Sequence, residues 1–330
     1  MSGLSRRVVV ALAPVVLAVS TLGCGRAGPA GEPTPPPADG GVTVVASASP
    51  RPSVTPRPTA TPRPTATPRP PQVRFQFSGL PPDEQALVRF GVEIGGAYVA
   101  SVAGVQGPDL TVYASSNVAV LAAVFTLTPA GQLPGAADFG RRIQYGVAEA
   151  NIGAVFIYTG APLWRSFTSV QRVRAVVHEY MHTVQFDLLG RDQALKDLTT
   201  PSVRVRPGGP TWLFEGVADL LSWRAMEAAG LTSLEAQLEE QRQALAGSDL
   251  SPRHMETYID YISSGPAAIG MALLAADYLL RGRDAGDVAR YYGAVHDGAD
   301  WPVAFSSAFG EDVAGFYDGF DEYQRNGYRY

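Results

Sequence analysis

The chain reads as an α+β protein, with a small mixed N-terminal portion carrying a β-sheet, then one long helix, then a mainly α-helical C-terminal portion. Three observations predict this. Strand-like runs occur only before residue 160, apolar residues at helical spacing flank them, and beyond residue 168 the apolar stretches keep the 3.6-residue helical period, with Gly or Pro at most boundaries.

After Pro81-Pro82, residues Leu87, Val88, Phe90, Ile94, Tyr98 and Val99 fall on one face of a helix over 83–103. Residues 110–114 form a strand, 117–125 a short apolar helix, and 152–158 a second β-rich run stopped by Gly160-Ala161-Pro162. Thr168 and Gln171 make a capping box, and the stripe Val170, Val173, Val176, Val177, Met181 and Val184 carries that helix to Leu189 and a terminating Gly190. A loop rich in breakers (207–210) precedes a helix over 211–229 that ends at Gly230. Further helices follow over 232–246, 266–280, 284–295, 302–309 and 311–325, while His254, Tyr258 and Tyr261 occupy a loop-like stretch.

At the N-terminus, Arg6 and Arg7 precede an apolar stretch from Val8 to Val19 and then Thr21-Leu22-Gly23-Cys24, the order of an export signal and too short to span a membrane. Cys24, the only cysteine, resembles the acylated cysteine of a bacterial lipoprotein, which implies a signal peptide over 1–23 and an extracytoplasmic protein held to the membrane by lipid on Cys24. Thr21 departs from the leucine-like residue usual three positions earlier. Ser5-Arg6-Arg7 also resembles the start of a twin-arginine signal, so both export routes stay open. Without a second cysteine, no internal disulfide supports the exported domain, and an apolar core or a metal must.

Residues 24–74 read as a disordered tether rich in Pro, Thr and Arg. Thr55-Pro56-Arg57-Pro58-Thr59-Ala60 recurs as Thr61-Pro62-Arg63-Pro64-Thr65-Ala66, and prolines at this density favour a semi-stiff polyproline II spacer. Residues 1–74 hold eight Arg against Glu32 and Asp39, so the whole-chain net of −5 leaves −11 for the domain over 75–330. Nothing in this acidic domain suggests a nucleic-acid footprint, and its excess of carboxylates fits solubility outside the cell better than phosphate binding; a monomer is expected.

The chemistry concentrates in His178-Glu179-Tyr180-Met181-His182 and the later run Trp212-Leu213-Phe214-Glu215-Gly216-Val217-Ala218-Asp219. One helical turn separates His178 from His182, so both project from one face and can grip one ion, with Glu179 beside them. Glu215 in the first turn of its helix adds a carboxylate. Two imidazoles and one carboxylate leave a fourth tetrahedral position for water, which is the pattern of a catalytic Zn2+ site. The competing reading puts the histidines on a partly exposed helix face with Glu179 solvated. Only four histidines occur in the chain, and the second motif weighs against that coincidence.

The order of elements resembles the gluzincin metallopeptidases of the thermolysin type. More narrowly, His178-Glu179-x-x-His182-x-x-Gln185 followed by Trp212-Leu213-x-Glu215-Gly216-x-Ala218 is similar to the peptidase MA-like domain of bacterial secreted proteins. The likeness covers roughly 75–325, but its specific part is these two helices. It implies His178, His182 and Glu215 as zinc ligands and Glu179 as the general base that takes a proton from the attacking water. It also implies that Asp219 accepts a bond from a ligand histidine; a surface carboxylate near a helix start is the alternative. Gluzincins often add a tyrosine or histidine that donates to the tetrahedral intermediate. Tyr261 is chosen here from Tyr258, Tyr261 and His254, against the equal alternative of an ordinary half-buried tyrosine.

Gln185 and Leu188 stand where a metzincin needs glycine and a third histidine, and no Gly-x-Met-Glu-Asn run for a free amine occurs. The leading expectation is therefore an endopeptidase acting on polypeptide, with substrate laid along 152–158 as an added strand. A lipoprotein that keeps the fold as a binding or assembly module is the second reading. A zinc amidase acting on cell-wall material is the third.

Overall fold

The structure is a computed structural model that describes residues 71–102, 105–133 and 136–329. The expected signal peptide, Cys24 and the expected tether up to residue 70 lie outside the described residues. The first strand, β1 (Val73–Ser78), begins within the last residues assigned to the tether. It is followed by α1 (Pro82–Val102), β2 (Leu110–Ser115), α2 (Val118–Phe125), α3 (Phe139–Tyr145), β3 (Ala148–Asn151) and β4 (Ala154–Tyr158).

These strands form one sheet in the order β1-β2-β4-β3, with the first two pairings parallel and β3 antiparallel to β4. The fold is α+β, as the distribution of strand-like runs predicts. One expectation is overturned here: β4, the run at 152–158, is paired on both sides and cannot accept an added strand along its length. The free edge beside it belongs to β3, whose Ala-Glu-Ala-Asn sequence carries no apolar run to mark it.

Beyond the sheet come only helices: α4 (Pro162–Ser166), α5 (Ser169–Leu189), α6 (Arg191–Thr199), α7 (Thr211–Ala228), α8 (Leu234–Ala244), α9 (Tyr258–Ser263), α10 (Pro266–Leu279), α11 (Ala285–His296), α12 (Trp301–Phe309) and α13 (Val313–Arg325). No helix among the described residues is long and apolar enough to cross a membrane.

Helix α5 is the axis of the domain. It starts on the expected capping box, in which the Thr168 hydroxyl accepts from Gln171 N–H and the Gln171 side chain accepts from Thr168 N–H, and it stops at Gly190 with φ of 70°. Its valines are weak helix formers, so tertiary packing holds it: every residue from Val173 to Phe186 is buried. Helix α1 covers one side at close range, because Gly95 lets its backbone sit where a Cβ would stand 2.7 Å from the Tyr180 ring. On another side α7 lies between α5 and α10, and Gly216 permits that contact: a Cβ there would stand 2.2 Å from the Ala272 carbonyl oxygen. The entry to α7 is held by Trp212, whose indole stacks on Phe316 at 4.9 Å and donates to the Tyr317 hydroxyl at 3.0 Å. A second cluster, with Phe125 and Phe139 stacked at 3.9 Å against Phe156, packs α2 and α3 on β4.

Candidate metal centre

Helix α5 brings His178 and His182 one turn apart, and α7, lying alongside, brings Glu215 to them. His178 Nε2 and His182 Nε2 are 2.9 Å apart, and Glu215 Oε2 lies 3.6 Å from the first and 3.3 Å from the second. These three atoms are the candidate metal-ligand group among the described residues.

The hydrogen bonds behind the rings decide what those atoms can be. His178 Nδ1 is 2.9 Å from Asp219 Oδ1, a carboxylate that only accepts, so Nδ1 carries the proton. The Gln185 amide donates through Nε2 to the Phe214 carbonyl at 2.9 Å and the Tyr292 hydroxyl at 3.0 Å. That orientation leaves its Oε1 to accept from His182 Nδ1 at 2.7 Å. Both Nε2 atoms of the neutral rings are therefore lone-pair acceptors, and they converge with a carboxylate oxygen. Three acceptors facing one point repel unless a cation or proton sits among them. The circle through them has a radius of about 1.9 Å, so an ion at about 2.0–2.1 Å from each would lie about 0.7 Å off their plane. The residues fit zinc in donor type and in spacing.

The charges tell the same story without an ion. Burial would lower His178, but its bonds to Asp219 and Glu215 outweigh this and raise it to about 10. For Glu215, burial pushes upward and the two imidazoles win, holding its carboxyl well below the ordinary range. Asp219 is likewise raised by burial and lowered further by the Arg174 guanidinium and the His178 bond, so it stays a carboxylate. Arg174 contacts Asp219 and lies over the Trp223 ring at 4.5 Å. The bond from the His178 ring to Asp219 matches the expected contact, the Arg174 contact goes beyond it, and a surface position is ruled out by the 3% exposure of Asp219.

Glu179 is buried beside the triad, and burial, partly offset by the two histidines, raises its carboxyl. It lines the same cavity of about 390 Å³ as His178, His182 and Glu215. Tyr258 and Tyr261 line that cavity too, so the two candidate phenols reach the right compartment. Tyr261 lies on helix α9, not on a loop, and makes no hydrogen bond to the triad; burial raises its hydroxyl well above the ordinary value and keeps it a donor. His254 is exposed and does not line the cavity. His296 accepts no catalytic assignment: its Nδ1 meets the Leu189 carbonyl at 3.0 Å, at the C-terminal end of α5.

Three residues at or behind the candidate site carry no motif. Arg174 is the one charged side chain one turn before His178 on a buried face, a spacing that would have flagged it. Tyr292 and Arg206 give no such signal, because only the packing of α11 and of the loop before α7 brings them in.

Comparison of the chain with family profiles, curated protein sequences and solved structures returns no match.

Proposed function

We propose that the chain is an exported zinc metallopeptidase, held at the membrane through lipid on Cys24, that cuts extended polypeptide. The observation that carries this reading is the convergence of three acceptor atoms from His178, His182 and Glu215 in a cavity that Glu179 also lines. A bound zinc ion supplies Lewis acidity and a water acidic enough to ionise near neutral pH.

The remaining chemistry belongs to the chain. Glu179, a buried carboxylate of raised basicity, takes the proton of the attacking water and returns it to the leaving amine. Asp219 and Gln185 fix the tautomers of His178 and His182, so that both Nε2 lone pairs face the ion. Tyr261, kept protonated by burial, is the proposed donor to the oxygen on which charge develops. The free edge of β3, whose four residues Ala148, Glu149, Ala150 and Asn151 line the cavity, offers backbone groups to an extended substrate.

The test pairs metal analysis of the purified protein with cleavage of casein by wild type and Glu179→Gln. One equivalent of zinc in both, with turnover lost in the variant, is the expected result. Zinc without turnover would favour a binding module, and cleavage of wall fragments alone would make the enzyme an amidase. Turnover untouched by Glu179→Gln would remove the proposed base.

A further inference from the structure

The cavity beside the triad contains two arginines, and they differ in one respect. Arg142 is neutralised by Glu149 on β3, with contacts of 2.8 and 3.2 Å. Arg206, among the described residues, makes no ion pair and no hydrogen bond through its guanidinium, although it lines the same cavity. Its cation instead lies over two aromatic rings, 5.9 Å from the centre of Phe214 and 5.2 Å from that of Tyr258.

The backbone that carries Arg206 is clamped. Gly209 N–H donates to the Arg206 carbonyl at 2.9 Å, closing a tight turn. That turn is gripped from both sides: Gly208 N–H donates to Asp197 Oδ1 at 2.7 Å, and the Tyr291 hydroxyl donates to the Gly208 carbonyl at 2.9 Å. A half-buried guanidinium on a fixed turn, lying over two rings, within the field of the Asp197 carboxylate but making no ion pair or hydrogen bond among the described residues, is preorganised for a planar anion.

Phe214 also stacks on the ligand His182 at 4.6 Å. Laid end to end, the two contacts put the Arg206 Cζ at most about 10.5 Å from the His182 ring centre, about three residues of extended chain.

We infer that Arg206 is a specificity-determining residue that binds a substrate carboxylate within about three residues of the bond cut at the His178–His182–Glu215 centre. The carboxylate is either an acidic side chain or the free C-terminus of the peptide. The inference rests on the peptidase reading of the same cavity.

The experiment uses three peptides of otherwise identical sequence. One carries glutamate near the cleaved bond and an amidated end, one carries glutamine there and an amidated end, and one carries glutamine and a free C-terminal carboxylate. Zinc-loaded wild type is expected to process one of the charged peptides with a kcat/KM about tenfold or more above the neutral one. Arg206→Gln brings that ratio close to one, and the peptide that shows the preference identifies the source. Equal rates in wild type, or a preference that survives Arg206→Gln, overturn the inference.

Equilibrium binding of the same peptides to Glu179→Gln gives a readout that needs no turnover. There the charged peptide should bind about tenfold tighter than the neutral one, and the difference should vanish in Glu179→Gln/Arg206→Gln. Absence of turnover in zinc-loaded wild type with this difference intact sinks the peptidase reading and leaves carboxylate binding standing. Turnover without the difference does the reverse.

Discussion

Asp219→Asn changes the charge behind the metal centre and almost nothing else, because asparagine keeps the size of the side chain and an oxygen that can accept from His178 Nδ1–H. In the wild type, Arg174 is 6% exposed and its only ion pair among the described residues is with Asp219, itself 3% exposed. Removing one member of such a buried pair leaves a cation without compensation, which costs roughly 3–5 kcal/mol, a large share of the ~5–15 kcal/mol of a typical domain. The same change makes the His178 ring a poorer donor of its lone pair, which should weaken zinc by about 10–100-fold.

Arg174→Met separates the two effects. Arg174→Met/Asp219→Asn should recover most of the lost stability, because no charge is left stranded, and should keep the zinc defect. Urea unfolding of the metal-free proteins and zinc competition with a chromophoric chelator measure the two quantities. The pH dependence has a definite sign. The Asp219 carboxyl is held below its unfolded value, so its contribution is present above about pH 4 and fades as pH falls through the folded value; the gap between wild type and Asp219→Asn should close in acid, and it should also narrow in alkali as His178, raised to about 10 partly by Asp219, loses its proton. A loss below about 1 kcal/mol, or a double variant that regains zinc affinity, would refute the reasoning.

Three other perturbations follow from contacts already described. Gln185→Leu frees the His182 ring and removes the buried bonds to the Tyr292 hydroxyl and the Phe214 carbonyl, so zinc affinity should drop by about 10–100-fold and stability by about 1–3 kcal/mol, read by the same chelator and urea assays. Burial raises the Asp197 carboxyl to about 6, above its unfolded value near 3.9, so its contribution is full in acid and lost as pH rises through 6. Asp197→Asn, which keeps an acceptor for Gly208 N–H, should therefore flatten the stability curve between pH 4 and 8 and gain up to about 3 kcal/mol at the alkaline end; an unchanged slope in urea midpoints would contradict it. Gly216→Ala drives a methyl into the Ala272 carbonyl, which should cost about 1–3 kcal/mol or more and displace the adjacent Glu215, detected as a lower melting temperature and reduced zinc content.

Much of the framework was legible in residue order because the determining forces are local. The capping box at Thr168, the stop at Gly190 and the 3.6-residue stripe of α5 act within one segment, and so does the one-turn spacing of the histidines. The pairing of Glu215 with them was legible only as a motif, since contact between α5 and α7 is a property of packing. The strands β1 and β3 escaped for another reason. They lie at the sheet's edges, with half-exposed sequences such as Ala-Glu-Ala-Asn that lack the continuous apolar run of the interior β4. Helix α9 escaped because six residues with Thr257 as cap give little periodic signal, and with it went the surroundings of Tyr261. Arg206 could not be singled out at all: an arginine before Pro-Gly-Gly is unremarkable until Phe214 and Tyr258 are found beneath its cation.

Tyr291 and Tyr292, adjacent on α11, brace the loop before α7 and the amide behind His182, more than a hundred positions downstream of that histidine. A ribosome delivers residues in order, so the nascent polypeptide holds both imidazoles long before their late support exists. The bracing of the candidate metal site must wait until that phenol pair has emerged and docked, so the ligand group is fully supported only when most of the molecule has been synthesised.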